Sequence, residues 1–174
     1  MRLAVIGSTN GTDLVPIVSA INSGRLLASV EVIISNNELS GILKKAGAYG
    51  IENHFVCHKN KKRSVFDMEM SQILENKKVD LILLIGFMRI LSPEFVGRWD
   101  GKIINVHPSL LPRHAGGMNS GVHESVLAAG DKETGCTIHL VTKEVDGGPI
   151  LIQKSCPVLH NDTAETLKER VQKL

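Results

Sequence analysis

The feature that most constrains the fold of this chain is the alternation of short apolar runs with longer segments of helical periodicity. The pattern predicts strands over residues 2–6, 27–34, 54–57, 81–85, 103–106, 137–141 and 149–155. Apolar residues three and four apart predict helices over residues 13–22, 40–48, 64–75, 122–129 and 164–173. Strands that alternate with helices are typical of βαβ units, so we predict an α/β fold with a doubly wound, mostly parallel sheet. Only residues 142–148 separate the last two strands, which favours a late antiparallel pair.

Residues that favour helix ends flank several of these segments. A serine or threonine before a helix can accept a hydrogen bond from its first turn, and a glycine after it permits a left-handed backbone. We therefore expect N-caps at Ser40, Ser64 and Thr163, and helix-ending glycines at Gly24, Gly50 and Gly130.

Composition narrows the class of protein. With 174 residues, of which 43% are hydrophobic and 22% charged, the chain has the length of a single domain with its own core. No apolar stretch approaches the length of a membrane span, and the three cysteines lie far apart, as expected in a reduced cytoplasm. We expect a cytoplasmic protein without disulfides and without a cysteine metal site.

The charge pattern bears on possible partners. A net charge of +2 gives no general surface for polyanions, and the six aromatic residues offer few platforms for stacking bases. The one cationic run, HKNKKR at residues 58–63, is either a solvated loop or a local anion site. We expect binding of neither nucleic acid nor membranes.

Four loops after predicted strands carry unusual residues. Ligands of open α/β sheets lie beyond the carboxyl ends of the strands, which directs attention to residues 7–13, 86–92, 105–122 and 142–148. The third of these loops is longer than compact domains usually contain unless the loop binds something.

The first loop, GSTNGTDL, leads directly into a helix. N–H groups at such a helix start, with the Thr12 hydroxyl, make a natural phosphate site around Gly11, Thr12 and Asp13. The spacing fits neither a dinucleotide fingerprint nor an NTPase P-loop. A structural turn capped by Thr12 or Asp13 is the alternative, and a carboxylate facing inward would repel a phosphate.

The segment INVHP carries the most specific local signal. Asn105 and His107 are two apart on a predicted strand, so both side chains point to one side, and Pro108 ends the strand. An amide donor and an imidazole suit a reaction in which a carbonyl becomes an oxyanion. The alternative is an ordinary hydrogen-bonded histidine at a strand end.

A carboxylate is available in the segment EVDGGPI. The two glycines after Asp146 let its backbone approach a neighbouring loop, and a carboxylate near His107 would raise the pKa of that imidazole. An Asp-Gly hairpin turn explains the same residues. His139 and Thr137 share a strand face and are either supporting partners of the site or satisfied core residues.

Other catalytic patterns fail. His123 and Glu124 begin an H-E-x-x-H pattern, but Leu127 occupies the position of the second histidine, so no metal is expected. There is no G-x-S-x-G, and Ser109 is followed by Leu-Leu-Pro, which suits a packed turn better than a nucleophile. In the segment GFMRILS, residues 88–91 are suited to a slot for a flat heterocycle, although Ser92 and Pro93 also resemble a helix start.

Together these blocks resemble the phosphoribosylglycinamide formyltransferases, the folate-dependent enzymes of de novo purine synthesis. The resemblance covers nearly the whole chain through GSTNGTDL, GFMRILSPEFV, INVHPSLLP and TGCTIHLVTKEVDGGPILIQ. HPSLLP is shared with methionyl-tRNA formyltransferase and formyltetrahydrofolate dehydrogenase, whereas the first and last blocks are closer to the glycinamide enzymes. The implied fold is a Rossmann-like doubly wound sheet.

The resemblance also implies roles. Asn105, His107 and Asp146 match a catalytic triad, and residues 11–13 match the loop that holds the substrate phosphate. Positions that match contacts to the formyl folate are Arg63, Met88, Arg89, Ile90, Leu91 and Asn105. We expect one formyltransferase domain over residues 1–174, with a phosphate-binding half of about 1–100 and a folate-binding, catalytic half of about 101–174.

The implied reaction moves a formyl group from 10-formyltetrahydrofolate, the co-substrate, to the amine of glycinamide ribonucleotide without a metal. The implied state is a monomer or homodimer. Two alternatives remain open: a formyltransferase for another phosphorylated or sugar-nucleotide amine, and a catalytically silent folate-binding domain.

Three features depart from the family pattern. Asp13 stands where the family commonly has Asn, and residues 114–121, HAGGMNSG, are long and rich in glycine. We expect that loop to be mobile and to order on folate binding. The family chains continue past the position of Leu174, where an acidic residue that helps to hold the ribose is expected.

Overall fold

The computed structural model describes residues 1–117 and 120–174. Its strands are β1 (Arg2–Ile6), β2 (Ser29–Ser35), β3 (Asn53–Phe55), β4 (Leu81–Leu84), β5 (Ile103–His107), β6 (Glu133–Leu140) and β7 (Ile150–Pro157). Its helices are α1 (Leu14–Asn22), α2 (Gly41–Ala48), α3 (Arg63–Asn76), α4 (Pro93–Arg98), α5 (Ser120–Ala128) and α6 (Ala164–Val171). Every predicted strand and helix is confirmed, with shifted ends.

The strands follow the order β3-β2-β1-β4-β5-β6-β7. The chain crosses from one side of β1 to the other between β3 and β4, which is the doubly wound arrangement predicted from the sequence. β1 runs parallel to β2 and β4, and β2 runs parallel to β3. β6 and β7 are antiparallel, so the late antiparallel pair is also confirmed.

The chain divides into two compact units, residues 1–104 and 105–174. In the first unit, β1 and the second half of β2 are buried and pack against the apolar faces of α1 and α2. The buried members of this core are Val5, Leu14, Val18, Ile33, Ile42, Ala46 and Ile85. The polar loop that follows β1 therefore starts from a rigid base.

In the second unit, β6 pairs with β7 along its length and α5 packs against α6. β6 begins at Glu133, four residues before the predicted start at position 137. A Cβ at Gly135 would collide with the carbonyl of Lys154 on β7, so this glycine lies in the strand because the two strands approach closely there.

Most predicted helix ends are confirmed. The Ser92 hydroxyl accepts from the N–H of Phe95 at the start of α4, and Thr163 forms a capping box with Thr166 at α6. Gly24, Gly50 and Gly130 all have positive φ. Ser40 is the N-cap residue of α2 by position, but its hydroxyl donates to Ser35 and makes no capping hydrogen bond. Ser64 as an N-cap is wrong: the carbonyl of Lys62 already accepts from the N–H of Phe66, so α3 begins earlier. Among the described residues, no helix is both long enough and apolar enough to cross a bilayer.

Candidate active site

The candidate site of the second unit begins at the end of β5. Asn105 and His107 lie two residues apart on this strand, as predicted. His107 is only 3% exposed. An imidazole in such a position has little water around it, so its behaviour depends on its protein partners.

Both ring nitrogens of His107 face oxygen acceptors. Nδ1 lies 3.3 Å from Oδ2 of Asp146, and Nε2 donates to the carbonyl oxygen of His114 at 3.0 Å. Burial, the largest effect, lowers the pKa of His107, whereas Asp146 and the hydrogen bond to His114 raise it. The net shift is downward. The expected approach of Asp146 is thus observed, but the expected net rise in the pKa of His107 is wrong because desolvation outweighs the carboxylate.

Asp146 is held by contacts from several directions. Its backbone has a φ of 54°, in the left-handed region, and its Oδ2 accepts from the N–H of Gly116 at 2.8 Å. Its Oδ1 lies 3.5 Å from Nε2 of His139. Burial raises the pKa of Asp146. The hydrogen bonds from His139 and Gly116 lower it and outweigh the effect of burial, so the net shift is downward. The carboxylate form is therefore favoured beside His107.

His139 connects Asn105 to this carboxylate. Nδ2 of Asn105 lies 3.1 Å from Nε2 of His139, and Nδ1 of His139 donates to the carbonyl of Leu140 at 3.0 Å. A chain of contacts thus runs from Asn105 through His139 and Asp146 to His107. His139, which is 1% exposed, is a core residue and also a partner of the candidate triad.

Thr137 contacts the turn that follows β5 and does not contact the His107–Asp146 pair directly among the hydrogen bonds of its hydroxyl. Its hydroxyl donates to the carbonyl of Ser109 at 2.6 Å and accepts from the N–H of Leu111 at 3.1 Å. It also accepts from Nε2 of Gln153 at 2.9 Å. Ser109 itself donates to the carbonyl of Arg113, which confirms that it belongs to a packed turn. Thr137 therefore fixes the chain that follows His107 through contacts to that turn.

In the first unit, residues 7–13 form the loop between β1 and α1. Gly11 has a φ of 59°, and a Cβ there would lie 2.5 Å from Cγ1 of Ile42. Asp13 is the N-cap residue of α1, and burial raises the pKa of its carboxyl. Thr12 is exposed beside it. The loop is thus held by packing of α2 against its glycine, with Thr12 and Asp13 at the helix start.

The segment that follows β4 is tied to the same loop. The Ser8 hydroxyl accepts from the N–H of Met88 at 2.9 Å and donates to Oδ1 of Asn36 at 2.6 Å. A Cβ at Gly86, whose φ is 57°, would collide with the Thr9 hydroxyl. Sequence analysis did not single out Ser8 or Asn36. Their signal was only that both follow buried strands whose carboxyl ends lie side by side.

The remaining predicted folate-contact residues of this unit differ in exposure. Arg89 lies over the ring of Phe66 at 5.3 Å, Ile90 is 49% exposed and Leu91 is buried. Arg63 is exposed in the first turn of α3. Ile90 directly follows Arg89 in the chain, and an exposed apolar side chain next to a cation is suited to a ligand with a flat apolar part and an acidic part.

Two residues of the loop at 114–121, Met118 and Asn119, lie outside the described residues. Its expected mobility remains a prediction. His114, at its start, was not among the predicted site residues, yet its carbonyl contacts His107. No sequence signal distinguishes a backbone contact of this kind, because any residue supplies a carbonyl.

This doubly wound sheet, with an Asn-x-His strand end next to a half-buried aspartate, defines the class of protein. The family model described as Formyl transferase matches residues 1–174, and the chain belongs to that family. Within it, the chain belongs to the phosphoribosylglycinamide formyltransferases. It is 35% identical over 173 residues to the phosphoribosylglycinamide formyltransferase of Escherichia coli, covering 99% of this chain and 80% of that protein.

Other relatives agree with this placement. The chain is 43% identical over 172 residues to the trifunctional purine biosynthetic protein adenosine-3 of Bos taurus, covering 98% of this chain but only 17% of that protein. The crystal structure of glycinamide ribonucleotide transformylase 1 from Symbiobacterium toebii is similar with a TM-score of 0.95 and 34% identity. That match covers 99% of this chain and 81% of the solved one.

Proposed function

We propose that this protein transfers the formyl group of 10-formyltetrahydrofolate to the amine of N1-(5-phospho-D-ribosyl)glycinamide, as a step of de novo purine synthesis. The observation that carries the proposal is His107, buried at the end of the strand that also bears Asn105 and held between two oxygen acceptors. The products of this reaction are formylglycinamide ribonucleotide and tetrahydrofolate.

Formyl transfer requires a hydrogen-bond donor that stabilises an oxyanion. Attack of the amine on the formyl carbon turns the formyl oxygen into an oxyanion, which Asn105 and protonated His107 stabilise by hydrogen bonds. For this step the Nε2 N–H of His107 turns from the His114 carbonyl, its acceptor in the free protein, to the substrate. Collapse of this intermediate breaks the bond to the folate nitrogen, to which His107 gives its proton, and the attacking amine gives up a proton that returns to His107 directly or through a water. Asp146 favours the protonated form of His107 against the effect of burial. No step requires a metal.

Residues of the first unit supply binding. Gly11, Thr12 and Asp13 hold the substrate phosphate at the start of α1, where N–H groups and the Thr12 hydroxyl face an anion. Burial raises the pKa of the Asp13 carboxyl, a shift toward the uncharged acid that reduces its repulsion of a phosphate. Residues 88–91 contact the folate, Arg63 faces its acidic tail, and Asn105, which belongs to the second unit, is a further folate contact.

The wider predictions belong to the same proposal. We propose a single domain that acts as a monomer or homodimer in the cytoplasm, with small-molecule substrates only. His139 is a supporting partner of the triad, consistent with its contacts to Asn105 and Asp146.

The decisive experiment is an assay of the purified protein with 10-formyltetrahydrofolate and glycinamide ribonucleotide, following deformylated folate by absorbance. Turnover that depends on the amine is expected. Deformylation without the amine would indicate a hydrolase, and turnover only with another phosphorylated or sugar-nucleotide amine would indicate a different formyltransferase. Retained folate binding without any turnover would support a silent domain. Each of these results contradicts the proposal.

A further inference from the structure

The main chain at residues 114–116 touches both members of the His107–Asp146 pair. The carbonyl of His114 accepts from Nε2 of His107, and the N–H of Gly116 donates to Asp146. These residues lie in HAGGMNSG, the stretch in which the sequence departs from the more familiar family pattern. Their conformation therefore affects both groups that carry the proposed chemistry.

His114 adopts a backbone that needs support. Its φ is 59°, in the left-handed region that non-glycine residues rarely occupy. Its ring supplies that support through two hydrogen-bonding contacts at 2.8 Å, from Nε2 to Oδ2 of Asp131 and between Nδ1 and the Ser125 hydroxyl. Both side chains of the His114–Asp131 pair are largely shielded from water, at 13% and 15% exposure.

Asp131 has further contacts that fix its own position. It pairs with Arg113, the residue before His114, so the carboxylate contacts two consecutive side chains of the turn. The hydrogen bond from His114, with smaller contributions from Arg113, lowers the pKa of Asp131. Asp131 is thus an ionised anchor that follows α5, and the turn at 113–114 is attached to it.

The direction of the His114 carbonyl matters for the charge of His107. A carbonyl only accepts, and the other ring nitrogen of His107 faces the carboxylate of Asp146. A neutral imidazole has one N–H and cannot satisfy both acceptors, whereas an imidazolium has two. The two acceptors together therefore favour the charged ring, which burial disfavours.

We propose that Asp131 is a positioning residue: through the ring of His114 it aims the His114 carbonyl at Nε2 of His107 and so favours the imidazolium form. Ser125 assists from α5. The use of the imidazolium in catalysis rests on the proposed function, but the positioning itself does not. The groups that face His107 are Asp146 on the β6–β7 turn, His139 on β6, His114 on its own loop and His123 on α5.

The test is an NMR titration of His107 in the protein without substrates. Asp131→Ala removes the carboxylate that holds the ring of His114, so the His114 carbonyl no longer points at Nε2 of His107. The pKa of His107 is then expected to fall below that of the wild type. Asp131→Asn retains an amide oxygen that accepts from His114 and should titrate close to the wild type. His114→Asn tolerates the left-handed backbone but does not reach Asp131, so it should titrate like Asp131→Ala.

Asp162→Ala is the matched control, because it removes another aspartate paired with an arginine, Arg170, in the same unit. An unchanged His107 titration in both Asp131→Ala and His114→Asn would overturn the proposal. An equal change in Asp162→Ala, or failure of Asp131→Asn to restore the titration, would overturn it too. If Asp131→Ala does not fold, His114→Asn decides.

Kinetics supply a second readout where the protein is active. Loss of one hydrogen bond of about 1 kcal/mol from the imidazolium of the free protein corresponds to a kcat/KM lower by roughly fivefold in Asp131→Ala at a pH above the pKa of His107. Absence of any transfer activity in the wild type would contradict the proposed function and leave the titration test intact.

Discussion

The glycine loop of the first unit and the histidine cluster of the second are both polar segments at strand ends, but different forces hold them. At residues 7–13 the constraint is steric, because Ile42 fills the space that a side chain at Gly11 would need. In the cluster the constraint is hydrogen bonding among His107, Asp146 and His139, which are largely buried. The loop therefore keeps its shape through packing, whereas the cluster consists of imidazoles and a carboxylate whose charge can change.

This difference predicts which property each mutation changes. Changes in the cluster should alter turnover and pH dependence, and changes in the loop should alter binding and stability. A cluster variant that changes only binding, or a loop variant that changes only turnover, would contradict this division.

The largest effect is expected for His107→Ala. Loss of an oxyanion donor typically costs roughly 3 to 4 kcal/mol, so kcat should fall by about a hundredfold or more while folate affinity is retained. Steady-state kinetics and a folate binding titration measure the two properties, with His160→Ala as an exposed control. Turnover at the wild-type level would remove His107 from the mechanism.

A smaller effect is expected for Gly11→Ala, on stability and on phosphate binding. The new Cβ adds a clash with Ile42 to the strain of a positive φ, so the free energy of unfolding should fall by roughly 1 to 3 kcal/mol. Gly24→Ala is the matched control, because Gly24 also has a positive φ but has no atom within 4 Å of the added Cβ. Urea unfolding measures both variants. Equal losses would show that packing of Ile42 does not constrain the loop.

Ser8→Ala should have a milder effect, confined to folate. The N–H of Met88 loses its acceptor, which costs about 1 kcal/mol and raises the KM for folate by roughly fivefold with kcat little changed. Ser40→Ala removes another buried hydroxyl of the same unit, one that bonds to Ser35, and should leave this KM unchanged. A larger change in kcat than in KM for Ser8→Ala would contradict the assignment of this contact to binding.

The smallest effect is expected for His123→Leu, in the pH dependence of stability. Burial, with smaller contributions from Lys168 and His107, lowers the pKa of His123 in the folded state. The unfolded chain therefore takes up the proton first, so stability is lost as the pH falls below about 6.5. His123→Leu should show a smaller decline in unfolding free energy between about pH 7.5 and pH 5. An unchanged decline, matching that of the exposed control His160→Gln, would contradict this account.

Much of the fold follows from local sequence information. The alternation of apolar runs and helical periods predicted every strand and five of the six helices of the described residues, because both signals depend on residues close together in the chain. The short helix α4 was indicated only by Ser92 and Pro93 at its start. The residues at which strands and helices begin and end were harder to predict. Gly135 resembles a turn residue in sequence but lies within β6, because the contact that explains it is with Lys154 on another strand.

The candidate site divides in the same way. Asn105 and His107 share one strand, so the sequence by itself determined that they point to one side. That Asp146 approaches His107, that burial lowers the pKa of His107 against the pull of Asp146, and that the carbonyl of His114 faces Nε2 were decided only by the tertiary structure. Desolvation and backbone contacts depend on atoms brought together from distant parts of the chain, and no local pattern of residue types encodes them.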